Sequence, residues 1–175
     1  RTDLVLRVNI SPVHLAVRDF AQEVADILRT RGIDPACFCL ELSEVAVVDS
    51  VARSGAALTS LRERGIRTAI DHFGVGYSSL LHLKRLPLDV LKIDRHFIDG
   101  LGVDGDDRAL VSVMIGLARS LRLDVVANGV ETATAARALV ELGCHRAQGH
   151  AICPPVDEPT LRSLLVDGTR LLEVS

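Results

Sequence analysis

The chain has 175 residues, enough for one domain with a sizeable core, and its 48% hydrophobic content excludes a disordered protein. A formal charge of −3 is too small to indicate a nucleic-acid polymer or a membrane surface as a partner. No apolar run approaches the roughly 20 residues that a membrane-spanning helix needs. We therefore expect one globular domain over residues 1–175.

The four cysteines form no C-x-x-C pair and have no zinc spacing; they are Cys37, Cys39, Cys144 and Cys153. No signal peptide is visible, and the chain starts at Arg1 inside a predicted strand, so we expect residues to precede it. These features predict free thiols in a cytoplasmic protein.

Strand-like and helix-like segments alternate along the whole chain. The predicted strands cover residues 4–10, 38–42, 67–71, 89–94, 123–127 and 145–148. The predicted helices cover 12–30, 50–64, 78–85, a segment ending near Leu121, 132–142 and 159–166. The strands are apolar without clean alternation, as buried parallel strands are. Six β-α units with short connections predict a parallel α/β fold.

Polar residues lie at the C-terminal end of every predicted strand. They are Asn9, Glu41, Glu44, Asp71, His72, Lys92, Asp94, Asn128, Glu131 and Gln148. Polar residues after a strand also cap the next helix, which accounts for Ser11 but not for a lysine and a glutamine in the same series. A row of this kind is typical of the mouth of a (β/α)8 barrel of the TIM type. Such a barrel has eight strands, so two more would come before Arg1.

A glycine-rich turn follows the third predicted strand, at Asp71–Ser79. An acidic residue that leaves a buried strand and enters such a turn is placed to bind a metal ion or a phosphate. His72, however, stands where two-metal chemistry would use a second carboxylate.

Several motifs occur in the order and spacing of one family. They are Val8–Pro12, Leu40–Glu44, Asp71–Ser79, Leu83–Pro87, Leu91–Arg95, Val126–Thr132, Gln148 with Gly149, and Pro155. On these motifs the chain resembles the EAL domains, the cyclic-di-GMP phosphodiesterases of bacterial signalling. The part that would carry the Glu-Ala-Leu signature itself is absent from the sequence. The resemblance covers nearly the whole chain and implies a metal-dependent hydrolase on a TIM-type barrel.

The resemblance also implies roles for individual residues. Asn9, Glu41 and Asp71 match ligands of the family's first metal, which would be Mg²⁺ or Mn²⁺. Lys92 and Glu131 match catalytic residues, and Glu44 matches the residue that stabilises the glycine loop. Residues that would contact the nucleotide are Gln148, Asp94 and Pro155.

Two substitutions depart from the family pattern. His72 replaces the second of the paired aspartates, and Asn128 replaces a glutamate assigned to water activation. An amide cannot accept a proton near neutral pH, and a neutral imidazole is a poor ligand for Mg²⁺. We therefore interpret the chain as a catalytically degenerate EAL-type domain that acts as a nucleotide sensor or regulatory module. The alternatives are an active phosphodiesterase that hydrolyses cyclic-di-GMP to linear pGpG, and a protein-interaction module that binds no nucleotide.

The resemblance implies cyclic-di-GMP as a possible ligand, and GGDEF or sensor domains as neighbours within the same protein. With two strands missing, the first and last strands would have open edges, which predicts a homodimer. Four of the other histidines are given no role; they are His14, His82, His96 and His145. The fifth, His150, follows Gln148 and Gly149 where the family pattern has a tyrosine. The acidic residues at 104, 106 and 107 are predicted to cap the next helix.

Overall fold

The computed structural model describes residues 4–44, 51–76, 80–102 and 105–167. The chain forms two compact units. The first comprises Arg1–Lys92 and Ala118–Asp124, and the second comprises Ile93–Leu117 and Val125–Ser175.

Strands and helices alternate through the described residues, as six β-α units require. The strands are β1 (Leu6–Asn9), β2 (Phe38–Ser43), β3 (Arg67–Phe73), β4 (Val90–Ile93), β5 (Asp124–Asn128) and β6 (Ala147–Gln148). The helices of the first half are α1 (Pro12–Leu15), α2 (Phe20–Thr30), α3 (Val51–Glu63) and α4 (Leu80–Arg85). Those of the second half are α5 (Arg95–Ile98), α6 (Gly105–Ser120), α7 (Ala133–Glu141) and α8 (Glu158–Asp167). The prediction of six β-α units is confirmed.

In the first unit the strands lie side by side in chain order from β1 to β4. β1 pairs in parallel with β2, and β2 with β3, so that Asn9 lies beside Glu41 and Ser43 lies beside Asp71. The sheet is covered by large apolar side chains, among them Leu42, Leu58, Leu61, Ile66 and Ile70, each at most 1% exposed. This core fixes the strand register, and with it the positions of the polar residues at the strand ends.

In the second unit β5 pairs in parallel with β6, which places Asn128 beside Gln148. Thr132 caps α7 by accepting a hydrogen bond from the Ala135 amide at 3.1 Å. The backbone at Gly149 passes close to Val130: a Cβ at this position would lie 2.2 Å from the Val130 carbonyl oxygen. Only glycine fits there, so Gly149 holds the end of β6 against the loop after β5.

Some predicted boundaries are wrong. The helix predicted over 12–30 is interrupted after Leu15, and α2 begins only at Phe20. Asp19 just before it has φ of +65°, a left-handed conformation that no continuous helix contains. β6 covers only Ala147–Gln148, and α5 was not predicted. The predicted boundaries at 50 and 78, and the acidic residue at 104, lie outside the described residues.

β1 is the most exposed strand of the first unit. Leu6 is 58% exposed and Val8 is 37% exposed. The homodimer predicted from open edges stays a prediction. In the part of the chain that the structure describes, no helix combines the length and apolar character needed to cross a membrane.

Candidate functional site

Three charged side chains meet at the C-terminal ends of neighbouring strands in the first unit. Lys92 of β4 donates from Nζ to Glu41 Oε2 of β2 at 2.5 Å and to Asp71 Oδ2 of β3 at 3.2 Å. All three residues are at most 5% exposed. Buried charges are stable only when they are paired, so the ammonium and the two carboxylates hold one another in place. We call Glu41, Asp71 and Lys92 the carboxylate cluster.

A second cation lies next to the cluster. Arg7 and Asn9 are two residues apart on β1 and so share one face of the strand. Arg7 Nη1 lies 3.9 Å from Glu41 Oε1, which is an ionic contact but too long for a hydrogen bond. Both atoms are buried and have no hydrogen-bond partner. Sequence reasoning missed Arg7, although the strand alternation places it on the face of Asn9.

The donor atoms of this region fit a hard divalent cation. Glu41 and Asp71 offer carboxylate oxygens, and Asn9, beside Glu41 in the strand register, offers an amide oxygen. The buried Glu41 Oε1 has no hydrogen bond and is free to bind. Within the described ranges no group of three His, Cys, Asp or Glu side chains could hold a metal. The metal site predicted at Asn9, Glu41 and Asp71, which includes an amide, stays a prediction.

His72 follows Asp71 directly and has a backbone φ of +58°, a left-handed conformation that residues other than glycine rarely adopt. Its amide donates to Asp71 Oδ1 at 2.9 Å, and its imidazole Nε2 lies 3.8 Å from Asp71 Oδ2. The side chain is 57% exposed. A buried ammonium and a solvent-facing imidazole therefore lie near the same carboxylate oxygen of Asp71.

Glu44 contacts the glycine loop. Its Oε2 accepts hydrogen bonds from the amides of Gly74 and Gly76, both at 3.0 Å. A Cβ at Gly76 would lie 3.0 Å from the carboxyl carbon of Glu44, so the loop packs tightly on this side chain. These contacts are consistent with the loop-stabilising role of Glu44, which stays a prediction.

In the second unit Asp94 caps α5. Its Oδ1 accepts from the His96 amide at 2.9 Å and lies 2.5 Å from His96 Nδ1. Asp94 is 3% exposed, whereas the His96 side chain is 75% exposed. The contact between His96 and Asp94 was missed in the sequence, although an aspartate two residues before a histidine at a helix start is a capping pattern.

The other candidate residues of the second unit face solvent more than those of the first. Asn128 is half-buried beside Gln148, which is exposed. Glu131 Oε1 lies 3.3 Å from Arg95 Nη2, and both side chains are about half exposed. Pro155 is also exposed. The structure thus brings Asn128 and Gln148 together by register, while the roles predicted for Glu131, Gln148, Asp94 and Pro155 stay predictions.

The four cysteines, all among the described residues, are thiols that form no disulfide, as the sequence predicts. Burial raises the pKa of the Cys39 thiol to about 11, with the nearby Glu41 carboxylate adding to the rise and Arg7 opposing it. Two open clefts of about 690 Å³ and 420 Å³ lie along α2, and their linings include no residue of the carboxylate cluster. The carboxylate cluster at the strand ends is therefore separate from these two clefts.

Comparison with known proteins agrees with the resemblance to EAL domains. The sequence model of the EAL domain matches residues 1–155. The crystal structure of the EAL domain of Mycobacterium smegmatis DcpA is 43% identical, with a TM-score of 0.90 over 94% of this chain and 74% of that one. The bifunctional diguanylate cyclase/cyclic di-GMP phosphodiesterase MucR of Pseudomonas aeruginosa is 40% identical over 88% of this chain and 22% of its own length.

A third similar protein was solved with ligands. Klebsiella pneumoniae BlrP1, in a complex with manganese and cyclic-di-GMP, is 30% identical, with a TM-score of 0.78 over 83% of this chain and 37% of that one. The chain spans about a quarter of the length of the curated relatives it matches. Its α/β fold is that of the TIM-type barrel of these neighbours, here with six β-α units. The chain belongs to the EAL domain family.

Proposed function

We propose that this EAL domain binds cyclic-di-GMP and does not hydrolyse it at enzymatic rates, so that it acts as a nucleotide sensor or regulatory module. The observation that carries the proposal is the environment of Asp71. The position after it, where two-metal chemistry needs a carboxylate, holds the exposed imidazole of His72 at 3.8 Å from Asp71 Oδ2.

Asn128 supports the same proposal from the second unit. It ends β5 at the position where the family pattern has a glutamate for water activation. Its side-chain amide cannot take a proton from water near neutral pH. Relative to the family pattern, each replacement also removes one negative charge, and negative charges attract dications.

The residues needed for holding a cation are retained in part. Asn9, Glu41 and Asp71 would hold Mg²⁺ or Mn²⁺, which when bound stabilises negative charge on phosphoryl oxygens. Lys92 keeps the two carboxylates oriented and would donate to a phosphate oxygen, and Glu44 holds the glycine loop. These groups favour binding of a phosphodiester without providing a general base.

The proposal is tested with the purified chain in two assays. Calorimetry with cyclic-di-GMP, with and without Mn²⁺, is expected to give a binding signal. Chromatography after incubation with Mg²⁺ or Mn²⁺ is expected to show no more linear pGpG than the Asp71→Ala variant, which lacks a carboxylate of the cluster. Turnover at ordinary enzymatic rates, about 1 per second or faster, would overturn the proposal.

An active phosphodiesterase is the second candidate, favoured by the intact carboxylate cluster. In that case His72 serves a transition metal, because imidazole suits borderline cations better than Mg²⁺. His72→Asp would then change the metal preference more than the rate, and Asp71→Ala would abolish turnover. If calorimetry gives no heat with the nucleotide under any condition, the chain is a protein-interaction module instead.

A further inference from the structure

The charges of the carboxylate cluster and of Arg7 sum to zero. Glu41 and Asp71 contribute two negative charges, and Lys92 and Arg7 contribute two positive ones. A cation that enters this region meets carboxylates that are already neutralised.

The two oxygens of Glu41 have different surroundings. Oε2 is bonded to Lys92 at 2.5 Å, while Oε1 has no hydrogen bond and faces Arg7 Nη1 at 3.9 Å. Oε1 is thus the oxygen left for a metal, and the positively charged guanidinium of Arg7 lies close to it. Arginine does not lose its proton in proteins, so this charge is present at every working pH.

The contact is too long to be explained by hydrogen bonding. A guanidinium that served only to hold Glu41 would donate to it at about 2.7–2.9 Å. Arg7 instead acts through charge across a buried gap, where the effective dielectric is lower than in water and screening by salt is weak.

We propose that Arg7 is a positioning residue that lowers the affinity of the Asn9, Glu41 and Asp71 site for divalent cations. It does so by neutralising Glu41 from the Oε1 side. The inference rests on the metal site of the proposed function but not on nucleotide binding or catalysis. The inference predicts that the side chains of Lys92 and Arg7 neutralise the carboxylates when no metal is present. A metal then binds only at high metal concentration.

The test measures binding of Mn²⁺ alone to the full chain, by the loss of the free Mn²⁺ signal in electron paramagnetic resonance. Arg7→Met removes the charge and keeps an unbranched side chain of similar length. Arg7→Lys keeps the charge. Arg64→Met is the matched control, because it removes one positive charge from α3's C-terminal turn, where Arg64 bonds to Ser60 and Gln22.

Removing a unit charge near a dication is expected to strengthen Mn²⁺ binding by about tenfold in Arg7→Met. Arg7→Lys and Arg64→Met are expected to stay within about twofold of the unaltered chain, because their local charge at Glu41 is unchanged. Circular dichroism is recorded for each variant to confirm that it folds. A second neutral variant, Arg7→Gln, is expected to repeat the Arg7→Met result.

Three results would overturn the inference. The first is an Mn²⁺ affinity of Arg7→Met close to that of the unaltered chain, or a lack of Mn²⁺ binding by both proteins. The second is an equal gain in Arg64→Met, which would assign the effect to net charge. The third is misfolding of both neutral variants, which would make Arg7 a structural residue. If Arg7→Met binds Mn²⁺ more tightly while cyclic-di-GMP gives no heat, the inference stands and the proposed function fails.

Discussion

The charged candidate residues of the first unit are buried and paired, whereas most of those of the second unit face solvent. Glu41, Asp71 and Lys92 are at most 5% exposed and bond to one another. Glu131 and its partner Arg95 are both about half exposed, and Glu131 Oε1 lies 3.3 Å from Arg95 Nη2. Asp94 is the buried exception, and it is engaged in capping α5.

This difference in burial predicts that the two groups of charged residues respond differently to a ligand. A buried, mutually paired cluster costs much to disturb, so it keeps its geometry whether or not a ligand is present. Exposed side chains with weak pairing cost little to rearrange and can turn towards a ligand. We therefore expect the candidate residues of the first unit to be rigid and those of the second unit to be adaptable.

The largest expected effect comes from breaking the carboxylate cluster. Lys92→Met would leave Glu41 and Asp71 buried without their shared ammonium, and we expect the free energy of unfolding to fall by about 3–5 kcal/mol. Urea denaturation of the full chain measures the loss. The only other lysine, Lys84, is exposed on α4 and gives a matched control: Lys84→Met is expected to change stability by less than about 0.5 kcal/mol. Similar small effects in both variants would refute the rigid role of the first unit.

A smaller effect is expected from the contact between Glu44 and the glycine loop. Glu44→Ala removes the acceptor of the Gly74 and Gly76 amides, and we expect a loss of about 2 kcal/mol, because hydrogen bonds to a charged group are stronger than neutral ones. Hydrogen exchange at these two amides gives a local measurement. Their protection is expected to drop in Glu44→Ala and to stay unchanged in Glu63→Ala, which alters an exposed glutamate of α3. Unchanged protection in Glu44→Ala would show that the loop is held by other contacts.

Most of the first unit could be predicted from its sequence, because the strands are apolar runs and the polar residues come at their ends. The break between α1 and α2 could not, since the positive φ of Asp19 leaves no trace in the pattern of apolar residues. Arg7 was missed for a different reason. A single arginine on a strand is ordinarily a solvent-facing residue. The register pairs Arg7 with Cys39, and only the side-chain positions in the structure show that its guanidinium faces Glu41.

The second unit was less predictable, because its candidate residues make few contacts that a sequence pattern specifies. The pairing of Asn128 with Gln148 depends on the register of a strand of two residues, and that register is fixed by the close approach of Gly149 to Val130. The resemblance identified the candidate site residues of this unit, but it did not predict how exposed their side chains are.

The smallest expected effect comes from the exposed ion pair of the second unit. Glu131→Gln is expected to change the free energy of unfolding by less than about 1 kcal/mol, because exposed ion pairs contribute little. Glu141→Gln is the matched control, since Glu141 pairs with Arg108 at 2.8 Å on exposed parts of the same unit. The two variants are expected to have the same urea midpoint, while calorimetry with cyclic-di-GMP is expected to show weaker binding for Glu131→Gln alone. If Glu131→Gln instead destabilises the chain as strongly as Lys92→Met, the charges of the second unit are structural as well, and the division into rigid and adaptable parts is wrong.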